Sequence, residues 1–199
     1  MTTVPALLTP TLAAIHERHS VRSYADTPVD RHSIEILLDA AVWAPSAMNS
    51  QPWAFVVIQD PDLLARCEHE ASAGYFVDPP TGELATYPSE TLDGIRALLR
   101  SPDFDILHGA PALIVIYATD GSGVNDCYLA AENILLAATT LGLGSCPIGF
   151  ARPYFEQPEV KAELGVPAEF VCALPIVLGE STQASSPHVH TPPHVLAWR

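Results

Sequence analysis

An α+β domain is the fold class this sequence predicts, and three observations carry it. Candidate helices and strands alternate irregularly, without the repeated strand-helix-strand units that build a doubly wound sheet. The 199 residues, 48% of them hydrophobic, suffice for one compact core, so a single domain over 1–199 is expected. The stretch from Asn125 to Leu141 is helical in composition and nearly apolar all round, interrupted by Asp126, Glu132 and Asn133. A helix with no polar face must be buried, at the domain centre or at a subunit interface. A long central dimer helix is the preferred reading.

Taken in chain order, Thr9 and Pro10 open a first helix as N-cap and first helical residue, and it runs to about Arg18 with Leu12 and Ile15 on its apolar side. Asp30 caps a second helix and Val29 staples onto Ile34. Ile34, Leu37, Leu38, Ala41 and Val42 recur at helical spacing until Pro45 ends it. Trp53 to Ile58 reads as a strand bounded by Pro52 and Pro61, and Asp62 to about Ala71 as a short amphipathic helix. Residues 73–88 hold Gly74, Pro79, Pro80, Gly82 and Pro88, too long a turn-rich stretch for an ordinary connection. It predicts either a lid, within about 73–105, or a packed surface excursion. A helix over 90–100 precedes the apolar run Ala112 to Ala118, a strand buried on both faces. A strand from Ser145 to Phe150, a helix from Glu156 to Leu164 stopped by Gly165 and Pro167, and a strand from Phe170 to Leu178 complete the domain. The tail from Ser181 to His194 is loop-like.

Charge narrows the function. The 23 acidic against 9 basic residues give a formal net charge of −14, which repels nucleic-acid and anionic membrane surfaces, so neither is an expected partner. The same scarcity gives weight to any cationic cluster. Cys67, Cys127, Cys146 and Cys172 are widely spaced in apolar contexts and read as buried thiols of a reducing compartment. Met1 to Leu12 lack the basic start and apolar core of a secretory signal, and no later run is long enough to span a bilayer. A cytoplasmic protein is expected.

Three clusters carry chemistry. Arg18, His19, Ser20 and Arg22 gather two guanidinium groups, a hydroxyl and an imidazole at the end of the first helix. That set suits a phosphate dianion, although cations at a helix C-terminus also simply complement its dipole. Pro45, Ser46, Asn49 and Gln51 lie where a helix gives way to a strand, and their neutral donors and acceptors suit a heterocycle with mixed hydrogen-bonding edges, or merely a turn. Gly142 to Phe150, with Pro147, Ile148 and Gly149, brings glycines that let backbone N–H groups approach a planar ligand, or let a tight turn pack. His188, His190 and His194 invite a metal reading, but a proline-rich loop seldom fixes such a site, and solvent-exposed or phosphate-facing histidines are preferred.

Together and in this order, the three clusters resemble the FMN-dependent nitroreductase family. The likeness extends from about Ile15 to the C-terminus, including the run Ala130 to Ala138 and the closing Pro192 to Trp198. The resemblance implies a central, mostly antiparallel sheet flanked by helices, FMN as cofactor and a homodimer with its long buried helix at the interface. It also implies that Arg18 and Ser20 hold the FMN phosphate, that Arg22 lies near the flavin pyrimidine, and that the Gly149 N–H faces flavin N5 and O4. Ser46, Asn49 and Gln51 are expected to reach the flavin from the other subunit. Two electrons then pass by ping-pong from NADH or NADPH to a small organic acceptor such as a nitroaromatic, quinone or enone, with flavin N5 carrying the chemistry and no side chain standing out as a catalytic acid. The family scaffold leaves open a flavin carrier or sensor without turnover, and an oxygen-dependent flavin-cleaving enzyme. Tyr75, Phe76 and Tyr87 are the lid aromatics expected over the flavin. Two departures stand out: Ala47 replaces a second Ser, and His190 with Thr191 replaces a Lys or Arg pair on the phosphate. An imidazole binds phosphate less strongly than Arg, so weaker and more pH-dependent FMN binding is expected.

Overall fold

The computed structural model describes residues 9–74, 88–99, 101, 104–183 and 190–199. Four strands form one antiparallel sheet in the order β1-β2-β4-β3: β1 (Trp53–Ile58), β2 (Ala112–Ala118), β3 (Gly144–Pro147) and β4 (Val171–Gly179). Val56 sits opposite Val115, Ile114 opposite Ile176, and Cys146 opposite Val177. All seven residues of β2 are buried. Because successive strand side chains point to opposite faces, Leu113, Val115 and Tyr117 enter one core and Ala112, Ile114, Ile116 and Ala118 the other.

Helices cover each face. On the first side lie α3 (Pro61–Gly74) and the four-residue α6 (Arg152–Phe155), which bring Leu64, Cys67, Ala71, Tyr154 and Phe155 against the odd-numbered β2 residues. The buried Tyr117 hydroxyl donates to the Phe155 carbonyl at 3.0 Å, so this packing leaves no orphaned phenol. On the second side lie α2 (Arg31–Val42) and α5 (Val124–Thr140). Asn133 Nδ2 donates to the Ala40 carbonyl at 3.0 Å, which ties these two helices together. The remaining helices are α1 (Pro10–Glu17), α4 (Ser89–Leu99) and α7 (Pro158–Glu163). Caps act where the sequence places them: Leu12 N–H donates to Thr9 Oγ1, and Ser33 N–H donates to the Asp30 carboxylate at 2.9 Å.

Several boundaries differ from expectation for physical reasons. The second helix stops at Val42, with Trp43 as its C-cap, because a proline at 45 disfavours helical geometry at Ala44 before it. The strand expected over 145–150 ends at Pro147, and Ile148 N–H turns across to the Pro175 carbonyl at 2.8 Å. A tight turn over Gly149–Ala151 and then α6 follow, a helix too short for periodicity to reveal. Within one chain α5 is not buried all round. Tyr128 and Leu129 are exposed, while Cys127, Ala130, Ala131, Ile134, Leu135 and Ala138 face the core. The expected lid residues Tyr75, Phe76 and Tyr87 lie outside the described residues.

One charged group is built into this scaffold. Lys161 of α7 is 4% exposed, and its ammonium donates to Glu156 Oε1 at 2.5 Å and to the Phe170 carbonyl at 2.6 Å. Glu156 Oε2 in turn accepts the Cys172 N–H at 2.7 Å, so the pair clamps the start of β4 to the end of α6. Lys161→Met keeps the aliphatic stem and removes the donors. It is expected to lower unfolding free energy by about 2 kcal/mol, read from the urea midpoint at constant slope.

Candidate functional site

The first and third sequence clusters meet at the free edge of the sheet. Arg18 caps α1, donating its N–H to the Ala14 carbonyl, and the chain beyond it runs extended beside β3. Ser20 pairs with Ser145 as a parallel bridge, and Val21 N–H donates to the Ser145 carbonyl at 3.0 Å. Gly144 makes this approach possible. A Cβ there would lie 2.9 Å from both γ carbons of Val21, which is itself 2% exposed. The segment continues to Arg22, whose N–H donates to Gln183 Oε1 at 2.9 Å, and to Ser23, whose hydroxyl lies 2.6 Å from that of Thr182. Tyr24 then donates its phenol to the Val21 carbonyl at 2.6 Å.

Arg18, Ser20 and Arg22 are thus fixed by backbone contacts, and the Ser20 hydroxyl also meets the Cys146 thiol. The Arg18 side chain, 29% exposed, faces Glu132 of α5 at 3.5 Å. His19 lies partly buried, its Nδ1 3.0 Å from the Glu17 carbonyl. From the other direction β3 delivers Pro147, the buried Ile148 and then the exposed Gly149. A Cβ at Gly149 would meet nothing within 4 Å, in contrast to Gly144 and Gly179, whose missing side chains are filled by neighbours. Open space therefore lies beside the Gly149 backbone. This edge offers two guanidinium groups, a hydroxyl and an approachable main chain, which is a donor set for an anionic, planar ligand.

The second cluster hangs on another part of α5. Ala47 N–H donates to Asp126 Oδ2 at 3.1 Å, six residues and about 9 Å along the helix from Glu132. Ser46 Oγ accepts the Gln51 N–H at 3.0 Å, and the Asn49 and Ser50 N–H groups close on the Ser46 and Ala47 carbonyls. Met48, Asn49 and Gln51 hold positive φ of 55°, 55° and 49°. Such conformations cost non-glycine residues about 1–2 kcal/mol each and persist only where their surroundings impose them. The result projects Met48, at 102% relative exposure, and the exposed Asn49 and Gln51 away from their own chain. Pro45 is exposed on the same loop. His190 and His194 lie exposed in the tail, and His188 is outside the described residues.

Sequence reasoning missed a group of titratable side chains on the Arg22 side. Burial and a hydrogen bond with Asp105 push the Glu68 carboxyl up to about 7. His108, three residues before Pro111, feels both Asp105 and Arg22. No periodic pattern marks these residues, which come from α3 and from the turn before β2; the positive φ of 59° at His108 is visible only in three dimensions. All four cysteines are free and buried, and burial raises their thiol pKa values, Cys127 to about 11 and Cys172 to about 12. They are thiols, not nucleophiles.

Helices on both faces of an antiparallel four-stranded sheet are an architecture this chain shares with solved FMN-bound structures. The nitroreductase family pattern matches residues 15–179, and the chain belongs to that family. It is 30% identical over 168 residues to a putative NADH dehydrogenase/NAD(P)H nitroreductase of Archaeoglobus fulgidus, covering 84% of this chain and 83% of that one. Among solved structures, a nitroreductase with bound FMN from Desulfitobacterium hafniense superposes with a TM-score of 0.76 at 26% identity, over 95% of this chain and 100% of that one. A nitroreductase of Mycobacterium smegmatis in complex with NADPH gives a TM-score of 0.63 at 25% identity, over 87% and 88% of the two chains.

The contact between Val21 and Gly144 makes a specific prediction. Gly144→Ala is expected to destabilise the fold by about 1–3 kcal/mol through overpacking and to raise amide exchange at Val21. Denaturant unfolding and hydrogen exchange followed by NMR measure the two effects, and unchanged protection at Val21 would contradict the docking role.

Proposed function

We propose that this chain is an FMN-dependent oxidoreductase that carries two electrons from NADH or NADPH to a small organic acceptor of the nitroaromatic, quinone or enone type. The observation that carries this reading is the docking of Ser20 and Val21 on Ser145 and Gly144, more than a hundred residues away in sequence, at the start of the strand that leads to the open backbone at Gly149. FMN fits the donor set. Arg18 and Ser20 would hold the phosphate, with Glu132 giving way to it, Arg22 would sit by the pyrimidine, and the Gly149 N–H would face N5 and O4. When bound, FMN supplies the hydride chemistry. The protein's part is to place positive charge and an N–H donor where reduced flavin gains electron density, and to leave a face open for nicotinamide and acceptor in turn. His190 would be a weaker partner for the phosphate than the Lys or Arg it replaces.

The working unit in this reading is a homodimer. Tyr128 and Leu129 of α5 are exposed beside α1 and α2, which expose Leu12, Ile15 and Trp43, and the tail exposes Trp198 at 90%. Apolar surface of that extent is seldom left in water. A second copy covering it would also receive the loop carrying Ser46, Asn49 and Gln51, whose outward projection then has a use. The four free thiols support a reducing compartment, the cytoplasm. Among the described residues no helix is long and apolar enough to cross a membrane.

Visible spectra test the reading directly. The purified protein supplemented with FMN should show bound flavin that bleaches on anaerobic addition of NADH or NADPH and regains colour with a quinone. Bound flavin that stays oxidised would make the protein a carrier, and no binding at high FMN would refute the proposal. A second expectation concerns the strained loop. Gln51→Gly should stabilise the cofactor-free protein by about 1 kcal/mol, because glycine adopts positive φ without steric cost. It should also weaken FMN binding roughly tenfold, the loss of one good hydrogen bond. Thermal unfolding and flavin-fluorescence titration separate the two effects, and equal FMN affinity would remove Gln51 from the site.

A further inference from the structure

Of the four buried thiols, Cys146 is the one set among the residues of the cationic edge. Its backbone is held from two sides. β3 pairs it with Val177 of β4, and the segment through Ser20 and Val21 docks on its chain neighbours Ser145 and Gly144. The side chain, 2% exposed, meets the Ser20 hydroxyl and has Arg22 and Arg18 as charged neighbours, with the Tyr24 phenol also close. The phenol proton is committed to the Val21 carbonyl at 2.6 Å, and guanidinium groups only donate. Ser20 is therefore the neighbour that can either give a hydrogen bond to the thiol or take one from it.

The other partner of the thiol is the Pro147 carbonyl, whose oxygen lies 3.7 Å from Sγ. Burial holds the thiol pKa above its ordinary value against the pull of Arg22, Ser20 and Arg18, so the sulfur keeps its proton at neutral pH. One S–H thus has two acceptors within reach, the Pro147 carbonyl and the Ser20 oxygen. The Ser20 O–H has a matching choice, toward the sulfur or away from it. Sulfur is a weak acceptor, so an O–H directed at it is readily given up to a stronger one, and a phosphate oxygen is among the strongest. A carbonyl or carboxylate in place of the thiol would keep the hydroxyl proton for itself.

We propose that Cys146 is the positioning residue for Ser20: as a phosphate arrives, the Ser20 O–H turns to a phosphate oxygen and the Cys146 S–H turns from the Pro147 carbonyl to the Ser20 oxygen. The relay then runs from thiol to hydroxyl to phosphate, each hydrogen bond polarising the next. Cys146 touches no cofactor atom in this arrangement and acts through Ser20. The assignment rests on the flavin reading above, in which Ser20 holds the FMN phosphate.

Binding and infrared measurements on the whole protein test it. Cys146→Ala removes the donor, and Cys146→Ser keeps one at the same place. By flavin-fluorescence titration, Cys146→Ala should bind FMN about fivefold more weakly than wild type and Cys146→Ser within about twofold of it. Riboflavin, which lacks the phosphate, should bind equally to Cys146→Ala and wild type. In a Ser20→Ala background the effect of Cys146→Ala should vanish. The S–H stretching band that both Cys146 variants lack should shift when wild type takes up FMN and stay in place with riboflavin. Unchanged FMN affinity in Cys146→Ala, or equal losses for FMN and riboflavin, would overturn the assignment. So would a loss that persists without the Ser20 hydroxyl, or an unmoved S–H band with FMN bound. Those outcomes leave the flavin reading intact, whereas wild-type protein that binds no FMN sinks both.

Discussion

Two-sided burial of β2 is the constraint from which the rest of the structure follows. Every side chain from Ala112 to Ala118 is removed from water, so the sheet requires a helical layer on each face. α5 with α2 supplies one layer and α3 with α6 the other. A strand buried on both faces has to be internal, which leaves β1 and β3 as the edges. The edge at β3 is short and ends in a proline, and the extended segment through Ser20 and Val21 covers part of it. The candidate site is thus where the sheet runs out of strands and a cationic loop takes the place of one.

Much of this was legible because it rests on local chemistry. Thr9 and Asp30 announce their helices by capping, and Ala112 to Ala118 announces a buried strand by an unbroken apolar run. The three motifs were readable as residue types in order. Their spatial relation was not, since the junction of Val21 with Gly144 depends on a missing methyl group that no propensity encodes. Nor could α6 be read, because four residues are too few for a helical period. The apolar composition of α5 was legible from its residues. Within one chain only part of its circumference meets the core, and Leu129 on the remainder stays exposed at 47%.

The strained positions separate into two groups with different sources of support. In the loop over 48–51, hydrogen bonds from Ala47 and Gln51 to Asp126 and Ser46 hold the backbone while the side chains point outward. At His108 the support is hydrophobic as well, from Ile106 and Leu107 beneath the turn. Both arrangements place conformational cost in the scaffold so that a particular side chain is presented in one direction. A fold selected for stability alone would carry glycine at these positions.

The ion pair between Arg18 and Glu132 bears on how an anion arrives at this edge. In a protein of net charge −14, a bare guanidinium facing the sheet edge would be an attractor for any passing anion. Glu132 keeps it neutralised from within. Were the cofactor's phosphate to dock at Arg18 as proposed, its binding would be an exchange, one carboxylate released to solvent as one phosphate takes its place, rather than a simple addition of opposite charges. Added salt weakens the internal pair and the incoming one together, so the ionic-strength dependence of association is shallower than a count of cations at the site implies.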